Sequence, residues 1–362
     1  MSVLAGGVFS SAAADDDVAE LRGLVVDIGS QSFDARLGRR GLPEEFDDTT
    51  WRHLEDTGLS RLTTTADLGA GPTEAAVVLR GLARYAVAAP VAETDLLAAW
   101  LARAAGADVP ETGALTVAIG DGALSDGRLT GSAADVPWTR GAGAVVIAVP
   151  TDGDLLVTVT APNELEISDG HNLGGEPRDG IRFDVPEPDV VRADRALLDE
   201  LNRRGAWARC VQIIGALDAA AELSVAHTRE RVQFGRPLSK FQAVQHALAG
   251  MAGDIERARA ATTFAVAAAA DHGFDDPRTD YAVALAKVVA GQVVPAVTTV
   301  AHQLHGAIGV TIEHQLWSAT NRAHSWVTEF GSTGHHARRL GRLALAGHDD
   351  AMWDVLTGPG IG

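Results

Sequence analysis

A cation, an amide and an aromatic ring lie close together at one point of the chain. Arg231, Gln233 and Phe234 come directly before the turn Gly235-Arg236-Pro237. A doubly charged pyrophosphate is well held by a guanidinium fork, by amide groups and by a glycine that lets the backbone approach closely. These residue types could therefore hold such an anion. Taken singly, Arg231 could instead be a solvated cation at a helix end, and Phe234 a plug of the core.

A second segment combines a glutamine with two glycines. It runs Gln303-Leu304-His305-Gly306-Ala307-Ile308-Gly309 and continues to His314. Glutamine offers an amide donor, and glycine again permits close backbone approach. Taken singly, Gly306 and Gly309 could be ordinary C-caps of helices.

Together the two segments resemble the signature of the acyl-CoA dehydrogenase family. The first matches over residues 229–238 and 241–246, and the second over residues 303–314. The resemblance implies that five residues contact the FAD of a neighbouring subunit: Arg231, Gln233, Phe234, Gln303 and Gly306. It also implies that Ser332 and Thr333 touch the far end of that cofactor.

The flavin cradle that the family builds within one subunit is missing from this sequence. The family uses a Thr-Glu-Pro loop after the first strand of its middle domain, but here residues 121–127 form a shortened connection. The family's Trp-Thr segment aligns with Asp135 and Pro137, and proline has no backbone N–H to donate. Trp138 and Thr139 restore the match only after a shift of register.

The catalytic base of the family is also missing from its usual positions. Acyl-CoA dehydrogenation needs a carboxylate beside the substrate α-carbon, in a dry pocket that raises the pKa of that base. The two positions that family members use are occupied here by Gly205 and Phe330. Glu329 lies next door, but a displacement of one residue turns a side chain by about 100° on a helix. Glu329 is therefore either a shifted base or a surface carboxylate.

Neither the histidines nor the cysteine predicts a further reactive site. His302 and His305 could face one metal ion from a single helix, with His335 and His336 adding ligands, but no acidic or cysteine partner has a recognised spacing. No metal site is expected. The single cysteine, Cys210, lies in an apolar helical pattern that is typical of a small buried thiol.

Composition limits the class of protein and its partners. The 362 residues are 46% hydrophobic and 22% charged, which is typical of a globular chain with more than one module. A formal net charge of −18 disfavours nucleic acid, and any anionic ligand needs a locally basic pocket. Residues 1–14 lack the positive region of a secretory signal, and no apolar run reaches the roughly 20 residues of a membrane helix. A cytoplasmic location away from membranes is expected.

The order of elements predicts a mainly α protein with a β domain. Helical patterning covers an N-terminal domain at 1–112, short apolar runs between turn signals indicate a middle β-barrel at 113–192, and a four-helix bundle follows at 193–362. The predicted bundle helices are 194–234, 240–271, 279–305 and a last one through 338–346. Helix, strand and helix again is also the three-part layout of the acyl-CoA dehydrogenases.

These features favour one subunit of a heteromeric, FAD-dependent acyl-CoA dehydrogenase that is active only as a complex. A related partner subunit would carry the glutamate base, most of the flavin cradle and most of the contacts to the acyl-CoA. By resemblance to the non-catalytic subunits of actinobacterial steroid dehydrogenases, the substrate class is a ring-bearing CoA thioester. Two alternatives stay open: a homomeric dehydrogenase that uses Glu329 as its base, and a flavin-free structural subunit.

Overall fold

The computed structural model describes residues 16–38 and 41–346, so the outer ends of the predicted first and third domains lie outside it. The described part begins with four helices: α1 (Asp16–Arg36), α2 (Asp48–Asp56), α3 (Pro72–Arg84) and α4 (Trp100–Ala105). A π-helical stretch over Glu93–Ala99 leads directly into α4, and each of its residues is buried. That stretch carries two acidic side chains, Glu93 and Asp95, into the interior.

The start and the buried face of α3 follow from its sequence. Pro72 stands in the first turn, where its missing N–H costs no helical hydrogen bond. The Glu74 carboxylate accepts a 2.8 Å hydrogen bond from the Gly71 N–H and so closes the N-terminal turn. The apolar side chains at helical spacing are buried: Ala75, Val78, Leu79 and Leu82.

Two four-stranded sheets form the middle β-barrel. The first has the order β1 (Leu115–Ile119), β4 (Ala144–Pro150), β5 (Asp154–Thr160) and β8 (Val190–Asp194). The second has the order β2 (Asp121–Ser125), β3 (Arg128–Pro137), β7 (Arg178–Pro186) and β6 (Glu166–Ser168). Strands β1 and β4 run parallel, and the other pairs are antiparallel.

Strand β4 shows why its sequence is apolar at nearly every position. Val145, Ile147 and Val149 belong to the core between the two sheets. The alternate residues Val146 and Ala148 belong to the core that the barrel shares with the helices. Since successive side chains of a strand point to opposite faces, both faces of β4 are buried.

Five helices make up the described C-terminal part: α5 (Ala196–Glu230), α6 (Gln242–His272), α7 (Pro277–His305), α8 (Gln315–Thr328) and α9 (Thr333–Ala346). Helices α5 to α8 form the bundle, and α9 packs against α7. The last helix predicted through 338–346 lies within α9, whereas α8 was not predicted. The mainly α fold with a β domain is confirmed, and the domain limits remain predictions.

Helix α5 ends at Glu230, four residues before the predicted end. The next residues form a short hairpin of β9 (Val232–Gln233) and β10 (Arg236–Pro237). Phe234 and Gly235 supply the turn, with φ angles of 51° and 78°. A left-handed turn of this kind cannot continue a helix, which explains the earlier end.

Two of the described helices, α5 and the segment Pro277–Val310, are long and apolar enough to cross a membrane by length and composition alone. Their most apolar windows are 67% and 50% buried inside the protein. Core helices of globular proteins meet the same criterion, and here both helices supply the centre of the bundle. Because core helices also meet this criterion, it does not test the expectation that the protein has no membrane partner.

Candidate functional site

The hairpin after α5 presents the first predicted set of site residues to solvent. Phe234 is 91% exposed at its tip, and its ring meets Phe241 edge-on at a centroid distance of 6.2 Å. Arg231 and Gln233 are exposed as well. Phe234 is therefore not a core plug. An exposed aromatic ring beside an exposed guanidinium is a surface that favours a flat or anionic ligand.

The end of α7 presents the second set. Gln303 is exposed, and Gly306 follows the helix with a φ of 65°. No heavy atom lies within 4 Å of the point where a Cβ would stand on Gly306, so its outer side is open. Gly306 is thus a C-cap and also a place where a ligand can approach the backbone. Gly309 instead allows close packing, since a Cβ there would lie 2.8 Å from that of His305.

A pair of histidines brings these two sets to one end of the bundle. His227, in the last turn of α5, stacks on His305 of α7 with ring centroids 4.6 Å apart. His314 meets the other side of His305 at 5.1 Å. We call the exposed surface at this end the bundle-end face; it comprises Arg231, Gln233, Phe234, Gln303 and Gly306. Residues more than 70 positions apart therefore share one surface.

Ser332 and Thr333 are not brought to the bundle-end face. The Ser332 hydroxyl accepts the His335 N–H at the start of α9, and Thr333 packs on Gly291 in the middle of α7. Gly291 precedes Gly306 by 15 residues, which corresponds to about 22 Å along a helix. A ligand would have to be that long to reach both places.

The two family positions for the base face one another in space. The ring of Phe330 lies on Gly205, and a Cβ on Gly205 would stand only 2.4 Å from that ring. Phe330 has a φ of 53°, a conformation that a bulky residue rarely adopts. The ring therefore takes the space that a side chain from α5 would need. Neither position carries a carboxylate.

Glu329 is held as an anion by two arginines. Its Oε1 accepts hydrogen bonds of 3.0 and 2.8 Å from Arg178, and its Oε2 accepts one of 2.6 Å from Arg209. Burial raises the pKa of this carboxyl, but the two guanidinium groups outweigh burial and lower the pKa to about 2. The expectation of a surface carboxylate is wrong, because the Glu329 side chain is only 20% exposed. Its pKa also argues against a role as base.

Glu329 belongs to a chain of alternating charges that sequence reasoning missed. Arg209 also pairs with Glu93 at 2.6 Å, and Arg178 with Glu176 at 3.4 Å. Further pairs extend the chain through Arg322 to the N-terminal helices. We call this chain the charge network; in order it comprises Arg36, Glu44, Arg322, Glu176, Arg178, Glu329, Arg209 and Glu93. Most of its pairs join residues more than 100 positions apart, so local spacing gave no signal.

A cleft of about 630 Å³ lies between the barrel and the bundle. Asp135 and Pro137 line it from the barrel, and Glu329 and Phe330 line it from the bundle. This is where a flavin held in cis would meet the barrel, but a carboxylate and a proline offer poor partners for the electron-rich edge of a flavin. The residues of the cleft therefore fit FAD poorly, whereas those of the bundle-end face fit it well.

Trp138 and Thr139 do not restore the family's flavin-binding segment within this subunit. Trp138 is 2% exposed and packs against Phe46 with ring centroids 6.3 Å apart. Thr139 is fully buried, and its hydroxyl donates to the Val136 carbonyl. The shifted register is thus not available, because both side chains are used by the core.

The remaining candidates have structural partners. Cys210 is buried, and burial raises the pKa of its thiol to about 12, as expected for an inert thiol. His302 and His305 point to different partners, the Thr320 hydroxyl and the Ala301 carbonyl. Within residues 16–38 and 41–346 no three metal-ligating side chains converge.

Residues 199–344 match the family described as acyl-CoA dehydrogenase, C-terminal domain. The acyl-CoA dehydrogenase IpdE2 of Mycobacterium tuberculosis is 28% identical over 302 residues, which cover 82% of this chain and 86% of that protein. IpdE2 of Mycolicibacterium smegmatis is 35% identical over 127 residues, which cover 35% of this chain and 38% of that protein. This second match spans well under two thirds of the relative.

Two solved complexes share the fold. The ChsE4-ChsE5 complex from Mycobacterium tuberculosis gives a TM-score of 0.79 at 24% identity, covering 91% of this chain and 98% of the matched chain. A variant of the Tcur3481-Tcur3483 steroid ACAD gives a TM-score of 0.80 at the same identity and coverage. Residues 199–344 thus match the C-terminal domain of the acyl-CoA dehydrogenase family, and the chain as a whole shares the fold of the two solved complexes.

Proposed function

We propose that this chain is the non-catalytic subunit of a heteromeric, FAD-dependent acyl-CoA dehydrogenase. A related partner subunit supplies the glutamate base and most of the flavin cradle, and it holds most of the acyl-CoA. This chain supplies the bundle-end face, which grips the partner's FAD from outside. The complex works in the cytoplasm, without nucleic acid or membrane.

The reaction explains why a subunit without a base needs a partner. A carboxylate must remove the α-proton of the thioester, and FAD, when bound, accepts the hydride from the β-carbon. In this chain Phe330 covers Gly205, so no carboxylate stands at either family position. Glu329 stays ionised and bonded to Arg178 and Arg209, so it has little tendency to take a proton.

The observation that carries the proposal is the contrast between two regions. The members of the charge network are paired with one another, whereas the bundle-end face exposes unused binding groups. Arg231 forms no ion pair within the described residues, and Phe234 contacts little apart from Phe241. A pyrophosphate would satisfy the guanidinium, and Gly306 leaves room for it to approach the backbone.

The substrate class is proposed from the relatives. Both solved complexes named above pair two different chains, and one of them is called a steroid ACAD. A bulky ring-bearing CoA thioester is accordingly the substrate we propose for the complex. The reaction would introduce a double bond between its α- and β-carbons.

Flavin content tests the assignment. The chain is expressed alone and together with a candidate partner, a related acyl-CoA dehydrogenase subunit that carries the glutamate base, and flavin absorbance and chain stoichiometry are measured. We expect the lone chain to be colourless and the complex to hold about one FAD per pair of chains. Flavin saturation of the lone chain would contradict the proposal.

Substitutions at the bundle-end face separate the alternatives. Arg231→Ala and Phe234→Ala in the complex should lower flavin retention by about tenfold or more, since each removes one contact to the cofactor. Arg52→Ala, which changes an exposed arginine on α2, should have no effect. A flavin-free structural subunit would leave flavin content unchanged in every variant. If the chain were a homomeric enzyme that uses Glu329, the flavin absorbance of the lone chain would decrease when an acyl-CoA is added.

A further inference from the structure

A second cavity lies far along the bundle from the bundle-end face, between α1, α3, α5 and α6. Its volume is about 270 Å³. Its walls are apolar, with five branched side chains from the four helices: Val25, Val77, Val211, Ile214 and Val266. A cavity with such walls has room for an aliphatic group.

The rim of this cavity is basic, although the whole chain is strongly acidic. Four arginines and two carboxylates line it, which leaves an excess of two positive charges: Arg22, Arg80, Arg84 and Arg259 against Asp218 and Glu222. The chain as a whole carries a formal charge of −18. The cavity is therefore a locally basic place of the kind that an anionic ligand requires.

The arginines of the rim share too few carboxylates. Asp218 accepts from Arg80 at 2.7 Å and from Arg259 at 2.6 Å, Arg259 also pairs with Glu256 at 3.1 Å, and Arg84 pairs with Glu222 at 2.6 Å, so four arginines have three carboxylate partners. Arg22 has no ion-pair partner within the described residues. Burial lowers the pKa of Arg80, the Asp218 carboxylate opposes this effect, and the charges of Arg259 and Arg22 lower the pKa further. An additional anion among these three guanidinium groups would relieve their repulsion.

A residue that lines the cavity also carries a buried hydroxyl without a partner. Thr262 is 6% exposed, it lines the cavity one helical turn after Arg259, and its Oγ1 makes no hydrogen bond. A buried polar atom without a partner is costly, and a ligand oxygen would satisfy it. Residues three apart on a helix lie on the same face, so the hydroxyl and the guanidinium of Arg259 can serve one group.

We infer that this cavity binds a medium-chain aliphatic monocarboxylate. The carboxylate lies between Arg22, Arg80 and the Thr262 hydroxyl, and the aliphatic chain lies along the valines and Ile214. The inference is independent of the proposed role in flavin binding, since none of these residues belongs to the bundle-end face.

Octanoate, octanol and octylamine form a matched set of probes for the full-length chain. Octanoate should raise the melting temperature by roughly 2 °C or more at saturation, whereas octanol and octylamine should raise it much less. Calorimetric titration would give the dissociation constant. Equal stabilisation by octanoate and octanol would overturn the inference, because the arginines would then take no part.

Two conservative variants and a control complete the test. Arg22→Gln and Thr262→Val should each weaken octanoate binding by roughly tenfold, as expected for the loss of a hydrogen bond to a charged group. Arg52→Gln should bind as the wild type does. Unaltered binding in both cavity variants, or equal weakening in Arg52→Gln, would show that the ligand lies elsewhere.

The stability of the ligand-free variants also distinguishes a role of Thr262 in binding from a role in the fold. Thr262→Val keeps the shape of the side chain and removes an unsatisfied hydroxyl, so the ligand-free variant should be at least as stable as the wild type. A ligand-free variant that is clearly less stable would mean that the hydroxyl serves the fold. Ala76→Phe should fill the cavity and abolish octanoate binding, and circular dichroism would verify that it folds. Octanoate binding to a folded Ala76→Phe chain would also overturn the inference.

Discussion

The surroundings of Phe330 differ from those of a catalytic base in more than the lack of a carboxylate. The ring fills the space over Gly205, and the guanidinium of Arg209 lies 5.7 Å from its centroid. A cation near the face of an aromatic ring is favourable, so the ring also helps to hold Arg209. The local electrostatics thus differ from those of a dry pocket that raises the pKa of a base.

Replacement of the ring by a carboxylate should therefore not create a base. In Phe330→Glu the new carboxylate would stand beside Arg209, which would keep its pKa low. We expect no bleaching of flavin when an acyl-CoA is added to this variant with FAD, as followed by absorbance. Phe330→Gln removes the same ring without adding charge and is the matched control. Bleaching by Phe330→Glu and not by Phe330→Gln would contradict this view of the site.

At the level of single residues, aligned motifs identify which side chain occupies a position but not what surrounds it. Gly205 and Phe330 could be identified as empty base positions from aligned motifs alone. The partners of Glu329 could not, because Arg178 and Arg209 come from a strand and a helix more than 100 positions away. Such pairs are formed by the fold, and no local pattern records them.

Among the elements, α8 is held at its end by a buried lysine. Lys287 of α7 is 1% exposed, and its Nζ donates to the carbonyls of Trp326, Val327 and Glu329 at 3.1, 2.8 and 2.7 Å. Burial lowers the pKa of Lys287 to about 8, so the amine remains mostly protonated at neutral pH and has three hydrogens to donate. The last carbonyls of a helix need such donors.

Lys287→Met should destabilise the protein by about 2 kcal/mol, since it leaves buried carbonyls without a donor. Urea unfolding measures the loss, and hydrogen exchange of residues 326–333 should become faster because Glu329 and Phe330 follow directly. Lys240→Met, at an exposed lysine, should change neither quantity. Unchanged hydrogen exchange of residues 326–333 in Lys287→Met would show that the charge network alone holds this segment in place.

Element prediction succeeded where periodicity was clear and failed where polar contacts define the helix. The long helices α5 to α7 were expected within a few residues of their ends. Helix α8 was not expected, because its N-cap is His314, whose Nδ1 accepts from the Leu316 N–H. Histidine is an unusual N-cap, so its position gave no signal for the start of a helix.

On the scale of the whole molecule, the charge network joins all three parts of the chain. Glu44 and Glu93 come from the N-terminal part, Arg178 from the barrel, and Arg209 and Glu329 from the C-terminal part. Its four arginines and four glutamates balance in charge. Buried pairs of this kind need not add much to stability, but removal of one member leaves its partners uncompensated.

Glu329→Gln should therefore destabilise the whole molecule in a pH-dependent way. The folded pKa of about 2 lies below the value of roughly 4.3 in an unfolded chain, which corresponds to about 3 kcal/mol. Because the folded pKa is lowered, this stability is present above about pH 4.5 and is lost as the pH falls towards about 2. Urea unfolding should show the full gap between variant and wild type near neutral pH.

The gap should narrow steadily below about pH 4.5, because protonated glutamate resembles glutamine. Asp184→Asn breaks an exposed pair with Arg128, whose side chains are 46% and 60% exposed in the wild type, and should cost less than about 1 kcal/mol. If Glu329→Gln lowered the free energy of unfolding as little as Asp184→Asn does, solvent would have to screen the charge network. A large gap that did not change with pH would point to lost packing, because only a titrating carboxylate makes the difference depend on protons.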